Sequence, residues 1–403
     1  MLQRIKGGGI TSPQGFMAGV AQAGIKHPGR YDLALVLSKA PAAAAGVFTT
    51  NKFQAAPVLV SKEHLAREKA RGFVVNSGCA NACTGEQGLD DARAMAGEAA
   101  KSTGCESGEM LVASTGVIGV PLPMDKILLG VREAAFGLSV ENGSLAARAI
   151  MTTDTFPKET AVRFMLNGKA VTIGGMAKGS GMIHPDMATL LGFVATDAAV
   201  TPRCLKLALR SAVDCSFNMV TVDRDTSTND SLFVLANGLA GNAPVDDENS
   251  EEYGVFQEAL TQVCVELARM VARDGEGATK LVEVRVINAP TEADARAGAR
   301  SIAASNLVKA AVFGEDANWG RIVCALGYSG ASFEPALVDV YLGDLQVARN
   351  GCGLAFDEER AAGILAGNTV VIKVDLKQGS AGAVAWGCDL TYDYVKINGA
   401  YRT

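Results

Sequence analysis

Aromatic side chains make up only 6% of this 403-residue chain, although 48% of it is hydrophobic. Alanine and glycine must therefore fill much of the interior. Forty-five glycines, against a usual share of roughly 7%, point to many tight turns and close backbone approaches. A run of about 18 apolar residues is absent, which argues against a membrane-spanning helix. Positive charge is in deficit: 37 Lys and Arg against 43 Asp and Glu leave a net charge of −6, which disfavours nucleic acid or anionic membrane as a partner. Small molecules are the expected ligands. Histidine is scarce too, and His27, His64 and His184 all precede Gly327-Tyr328-Ser329-Gly330-Ala331. That near-match to a serine-hydrolase elbow needs a histidine after its serine, so the reading fails. The nine cysteines are scattered, odd in number and mostly set in apolar runs, as reduced core residues would be. Cys79 and Cys83 lack a second pair, and His184 does not complete a zinc set, so no metal is expected. Gly7-Gly8-Gly9 and the Asn350–Gly353 turn lack the strand, loop and helix setting of a nucleotide site. The first residues carry no apolar secretory stretch, and a cytoplasmic location is the expectation.

What is present is an alternation of strand-like and helix-like segments. Leu33–Ser38, Ala56–Ser61, Gly72–Asn76 and Met110–Ser114 read as strands, and Glu86–Ser102 and Met124–Phe136 as helices. Asn76–Gly85 and Ser114–Gly119 follow strands as polar, glycine-containing loops, the usual seat of catalytic groups. Thr160–Met165 and Ala170–Gly174 read as a hairpin closed at Asn167-Gly168. Helices are expected over about 202–215 and 251–272, the second ending at Asp274-Gly275-Glu276-Gly277. A smaller α/β module is expected to start near residue 281, with strands at 281–287, 337–342 and 369–374 and helices near 293–304 and 357–366. No repeat of 20–50 residues recurs. The run Asp223–Asp230 has the flavour of a calcium loop but lacks its glycine and terminal glutamate, leaving a polar loop at the surface or facing the site.

Lys178 to Leu191 is the most informative stretch, because it sets Thr189 behind Ala188 at the edge of a glycine-rich loop. A threonine hydroxyl is a poor nucleophile until a base takes its proton, and the α-amine of an N-terminal threonine is one such base. Its reference pKa is about 7.7–8, so much of it is neutral near pH 7. That use of Thr189 requires the Ala188–Thr189 bond to break first, through attack of the hydroxyl on the Ala188 carbonyl and hydrolysis of the resulting ester. On pattern alone, the same run also reads as the entry to a buried strand.

Five segments together resemble the ornithine acetyltransferase family of arginine biosynthesis: Lys178 to Leu190; Asn76 to Gly85; Ser114 to Gly119; Thr152 to Lys158; and Ile397 to Thr403. The matches span nearly the whole chain in the family's order and spacing. Cys79 and Asp186 stand where the family usually has asparagine. An acidic Asp186, three residues before the scission point, is expected to slow or alter processing.

The resemblance implies acetyl transfer from N-acetylornithine to glutamate through an acetyl-Thr189 intermediate, with no cofactor. Some members also use acetyl-CoA as donor. It makes Thr115 and Gly116 the oxyanion hole, and Thr152, Lys178, Thr189, Glu276, Asn398 and Thr403 substrate contacts. Lys178 suits a carboxylate and Glu276 an ammonium group. The implied fold is a layered α-β-β-α sandwich with a smaller C-terminal α/β module. Scission would give chains 1–188 and 189–403, with 189–280 completing the sandwich, assembled as an α2β2 heterotetramer. An amidohydrolase or aminopeptidase on the same scaffold, with water as acceptor, is the rival reading.

Overall fold

Nine strands of the chain join one sheet because a single long strand belongs to two halves of it. The structure, a computed structural model, describes residues 2–184 and 190–400. These form two units: 2–179, 190–214 and 226–267 in the first, 180–184, 215–225 and 268–400 in the second.

The first unit contains β1 (Gln3–Arg4), β2 (Phe16–Ala21), β3 (Leu33–Phe48), β4 (Lys69–Cys79), β5 (Met110–Val117), β6 (Lys158–Leu166), β7 (Lys169–Lys178), β8 (Leu191–Thr196) and β9 (Ser231–Ala236). Their order is β1-β6-β7-β8-β9-β3-β4-β5, with β2 added on β3. The first half of β3 pairs with β4, and its second half, Ala43–Phe48, pairs with β9. Between Leu37 and Ala42 the β3–β4 register shifts, as a bend requires. The bend folds the sheet onto itself: Phe73 on β4 stacks on Phe193 on β8 at 4.4 Å, and Phe233 packs edge-on against both. With so few aromatic residues, these three rings form the centre of the inner core, surrounded by Ala, Val and Leu.

Helices α1 (Ala56–Leu65), α2 (Gly85–Thr103) and α3 (Met124–Phe136) bury Val60, Met95 and Val131 against the outer face of β3, β4 and β5. Small side chains at Ala92, Ala96, Ala99 and Ala100 let α2 approach closely. A short α4 (Gly143–Ala149) adds Ala146, Ala147 and Ala149 to the inner core. On the other side lie α5 (Pro202–Asp214) and the first part of α6 (Glu251–Arg273), whose Val263 and Leu267 close on Gly175 of β7. The architecture is thus the α-β-β-α sandwich. One expected strand is a helix: Ala56–Ser61 opens α1, with Pro57 in its first turn, where its missing N–H costs nothing. A short apolar run alone does not distinguish the two.

The second unit is built on a six-stranded sheet, order β13-β12-β11-β14-β10-β15. It comprises β10 (Leu281–Ala289), α7 (Glu292–Ala304), α8 (Asn306–Phe313), α9 (Trp319–Gly327), β11 (Asp339–Leu342), β12 (Leu345–Arg349), β13 (Cys352–Gly353), α10 (Glu358–Leu365), β14 (Thr369–Asp375), β15 (Ala381–Cys388) and α11 (Tyr392–Gly399). Helix α7, capped by Thr291, buries Ala295, Ala299 and Ile302. The unit also takes in 180–184 and 215–225, two segments distant in sequence from the sheet. Among the described residues no helix is long and apolar enough to cross a membrane.

Candidate active site

The expected oxyanion pair sits where two parallel strands end together. Strands β4 and β5 pair Ser77 with Thr115 and Gly78 with Gly116, and then slip at Cys79. Ligand sites favour such carboxyl ends of parallel strands. Gly116 has φ +136°, and a Cβ there would lie 2.2 Å from the Gly78 carbonyl carbon, so both the conformation and the contact require glycine. Gly116→Ala is expected to lower the thermal midpoint, because neither the conformation nor the contact admits a side chain there, and, with the oxyanion role that the resemblance implies, to cut turnover by at least about 100-fold; paired melting and rate measurements check it.

The loops behind the pair are tied down from far along the chain. Asn229, just before β9, donates from Nδ2 to the carbonyls of Ala80 and Ser114 at 2.6 and 2.8 Å. Cys79, one departure from the family pattern, is buried and donates from Sγ to the Val120 carbonyl at 3.1 Å. Burial raises its thiol pKa, which suits a packed rather than a reactive cysteine.

Thr152 and Lys178 meet on Asp154. The carboxylate accepts the Thr152 N–H at 2.9 Å, the Gly179 N–H at 2.7 Å and the Lys158 ammonium at 2.7 Å, and Lys178 Nζ lies 3.9 Å away. Desolvation pushes the Asp154 carboxyl upward, but Lys178, Lys158 and the hydrogen bonds outweigh it and hold the pKa well below the usual range. A buried anion thereby orients two of the expected substrate contacts. Lys178 is also the register partner of Leu191, two residues beyond Thr189. Asp230, fully buried, faces the opposite electrostatic situation. Burial lifts its pKa well above the usual carboxylate range despite Ser227, Lys178 and Thr49.

In the second unit, Glu276 and Asn398 come together. Asn398 Nδ2 donates to Glu276 Oε2 at 2.8 Å, and the Glu276 N–H donates to the Ser180 carbonyl at 2.9 Å. A Cβ on Gly181 would meet the Glu276 carboxylate at 2.2 to 2.6 Å, so the glycine makes room for that side chain. Pro185, Asp186, Ala188, Thr189 and Thr403 lie outside the described residues. Among the described residues no three acidic, cysteine or histidine side chains cluster as metal ligands.

Sequence patterns did not single out Asp154 or Asn229. Neither had a sequence signal: a spacing of four pairs side chains only on a helix, whereas Asp154 lies in a loop and Lys158 opens β6, and the partners of Asn229 are more than a hundred residues away.

This chain shares its pattern with known proteins along its length. The sequence model of the ArgJ family matches residues 17–403. The chain belongs to the ArgJ family. A protein of Symbiobacterium thermophilum named "Arginine biosynthesis bifunctional protein ArgJ" is 60% identical over 98% of this chain and 99% of its own length. A protein of the same name from Caldanaerobacter subterraneus is 53% identical over 98% of this chain and 99% of its own. The crystal structure of an ArgJ protein from Bacillus halodurans is 44% identical with a TM-score of 0.51, matching 53% of this chain and 100% of that one. Membership in ArgJ makes the chain one of a family of arginine-biosynthesis enzymes.

Proposed function

We propose that the protein moves an acetyl group from N-acetylornithine to glutamate through an ester on Thr189. The α-amine freed at Thr189 takes the hydroxyl proton as Oγ attacks the acetyl carbonyl. Thr115 and the Gly116 N–H stabilise the oxyanion. The C–N bond breaks, the leaving amine takes the proton, and ornithine departs. The amine of glutamate then attacks the ester and leaves as N-acetylglutamate, restoring the Thr189 hydroxyl. Two half-reactions through one acyl-enzyme give ping-pong kinetics.

The observation that carries this reading is the hold on the Lys178 ammonium by buried Asp154 in the first unit; in the second unit Asn398 likewise holds the Glu276 carboxylate. An amino acid presents the complementary charges. Donor and acceptor share their α-carbon framework, so the same recognition groups suit both. Chains 1–188 and 189–403 remain associated as an α2β2 heterotetramer in the cytoplasm, without a cofactor.

The test combines intact-mass spectrometry with a transfer assay. Two chains meeting at Ala188 and Thr189, and N-acetylglutamate formed from glutamate with N-acetylornithine, are the expected results. Supplying acetyl-CoA as the only donor decides whether it is a second substrate. An undivided polypeptide with full transfer activity, or acetate as the only product, would reject the proposal.

A further inference from the structure

Asp223, the first acid of the run that resembled a calcium loop, has no part in the chemistry above, yet it anchors the segment before the scission point. Its Oδ2 accepts the Met182 N–H at 2.6 Å and its Oδ1 the Ile183 N–H at 2.8 Å. Met182 has φ +55°, a left-handed conformation that costs a non-glycine residue energy and turns successive N–H groups toward one anion. The surrounding bonds close the arrangement. Val222 N–H donates to the Ile183 carbonyl at 2.7 Å, and Ser180 Oγ to the Asp274 carbonyl at 2.6 Å. The buried Lys309 ammonium donates to the Val222 carbonyl, fixing the backbone beside Asp223.

Helix α11 grips both ends of this segment. Tyr394 and Asn398 are four residues apart and so share a face of the helix. Tyr394 Oη donates to Asp223 Oδ2 at 3.3 Å, while Asn398 donates to Glu276. Burial, then the negative charge of Asp223, raises the Tyr394 pKa and keeps its hydroxyl a donor. Between the two carboxylates lies Gly181, whose backbone packs directly on Glu276. Displacement of 180–183 by a fraction of an ångström would move the Glu276 carboxylate.

We propose that Asp223 and Tyr394 are positioning residues that fix the 180–184 segment and thereby aim the Glu276 and Asn398 side chains at the amino-acid substrate. The proposal rests on the acyl-transfer reading given above. It assigns specificity work to two groups that need not touch the reacting atoms.

Steady-state transfer by the full, processed protein provides the test, using Tyr394→Phe and Asp223→Asn. Tyr394→Phe removes one hydroxyl, so chain division and thermal midpoint should remain parental. Its KM for N-acetylornithine and glutamate should rise about fivefold with kcat kept within about twofold, as expected for one lost hydrogen bond to the substrate's support. Asp223→Asn sets an amide against the Met182 and Ile183 donors and should raise KM by more than about tenfold. Parental KM values in both variants overturn the proposal. So does a fall in active fraction and melting temperature at unchanged KM, which is the mark of a purely structural role. Failure of the parent protein to transfer acetyl would instead reject the acyl-transfer reading.

Discussion

Thr189→Ala is expected to leave one polypeptide of 403 residues and to reduce acetyl transfer by at least about 10⁴-fold. The size of the effect follows from the double use of one hydroxyl. In the proposed mechanism it first attacks the Ala188 carbonyl to release the α-amine, and then attacks the acetyl group with that amine as base. Alanine removes the proposed nucleophile from both reactions. Thr189→Ser separates the two demands: it keeps a hydroxyl and should still divide and form the acyl-enzyme, with altered rates. Mass spectrometry of each variant gives the extent of division, and a burst assay with N-acetylornithine gives the acyl-enzyme. An alanine variant that divides, or that forms N-acetylglutamate at the parental rate, would remove Thr189 from the mechanism.

The second large effect is expected at Asp154. Its side chain and that of Lys158 are fully buried, and that of Lys178 nearly so. Asp154→Ala leaves two buried ammonium groups without their shared anion, which typically costs about 3–5 kcal/mol. A drop in the urea midpoint at unchanged slope would measure it. The pH dependence has a definite sign. Because the folded-state pKa of Asp154 is depressed, its contribution is complete above the unfolded value near ~3.9 and is lost as pH falls through the folded value. The stability gap between parent and variant should therefore be constant from neutral pH to about pH 5 and shrink on further acidification. A gap that widens in acid would contradict the assigned electrostatics. Since Thr152 and Lys178, the substrate contacts of the proposed function, share the same carboxylate, the variant should also raise KM for N-acetylornithine and glutamate.

The elements legible in sequence are those whose cause is local. Helix α3 was expected over Met124–Phe136 and occupies those residues, because its apolar positions recur with helical period. The hairpin of β6 and β7 turns at Asn167 and Gly168, whose φ values of 50° and 72° suit a two-residue connection. The Asp274–Gly277 turn follows α6, and Gly277 at φ 70° takes the left-handed position there. Strand β2 and the helices α8 and α9 were not anticipated; they are short and apolar at most positions, so neither a helical nor a strand period stands out. Ala56–Ser61 was read with the wrong period because its six adjacent apolar or small residues fit either a strand or the start of a helix.

Sequence by itself determined the family, the alternation of strands and helices, and the residue types a charged amino acid and an acyl group would need, since these are written in adjacent residues and short spacings. Tertiary structure alone decided that β3 bends between two halves of one sheet, and that Asp154 gathers Thr152, Lys178 and Gly179. It also decided that Asp223 and Tyr394, 171 residues apart, meet across the segment they hold. The physical reason is that a buried charge must be satisfied by whatever donors the fold brings within hydrogen-bond reach. Spacing along the chain carries no record of which donors those are.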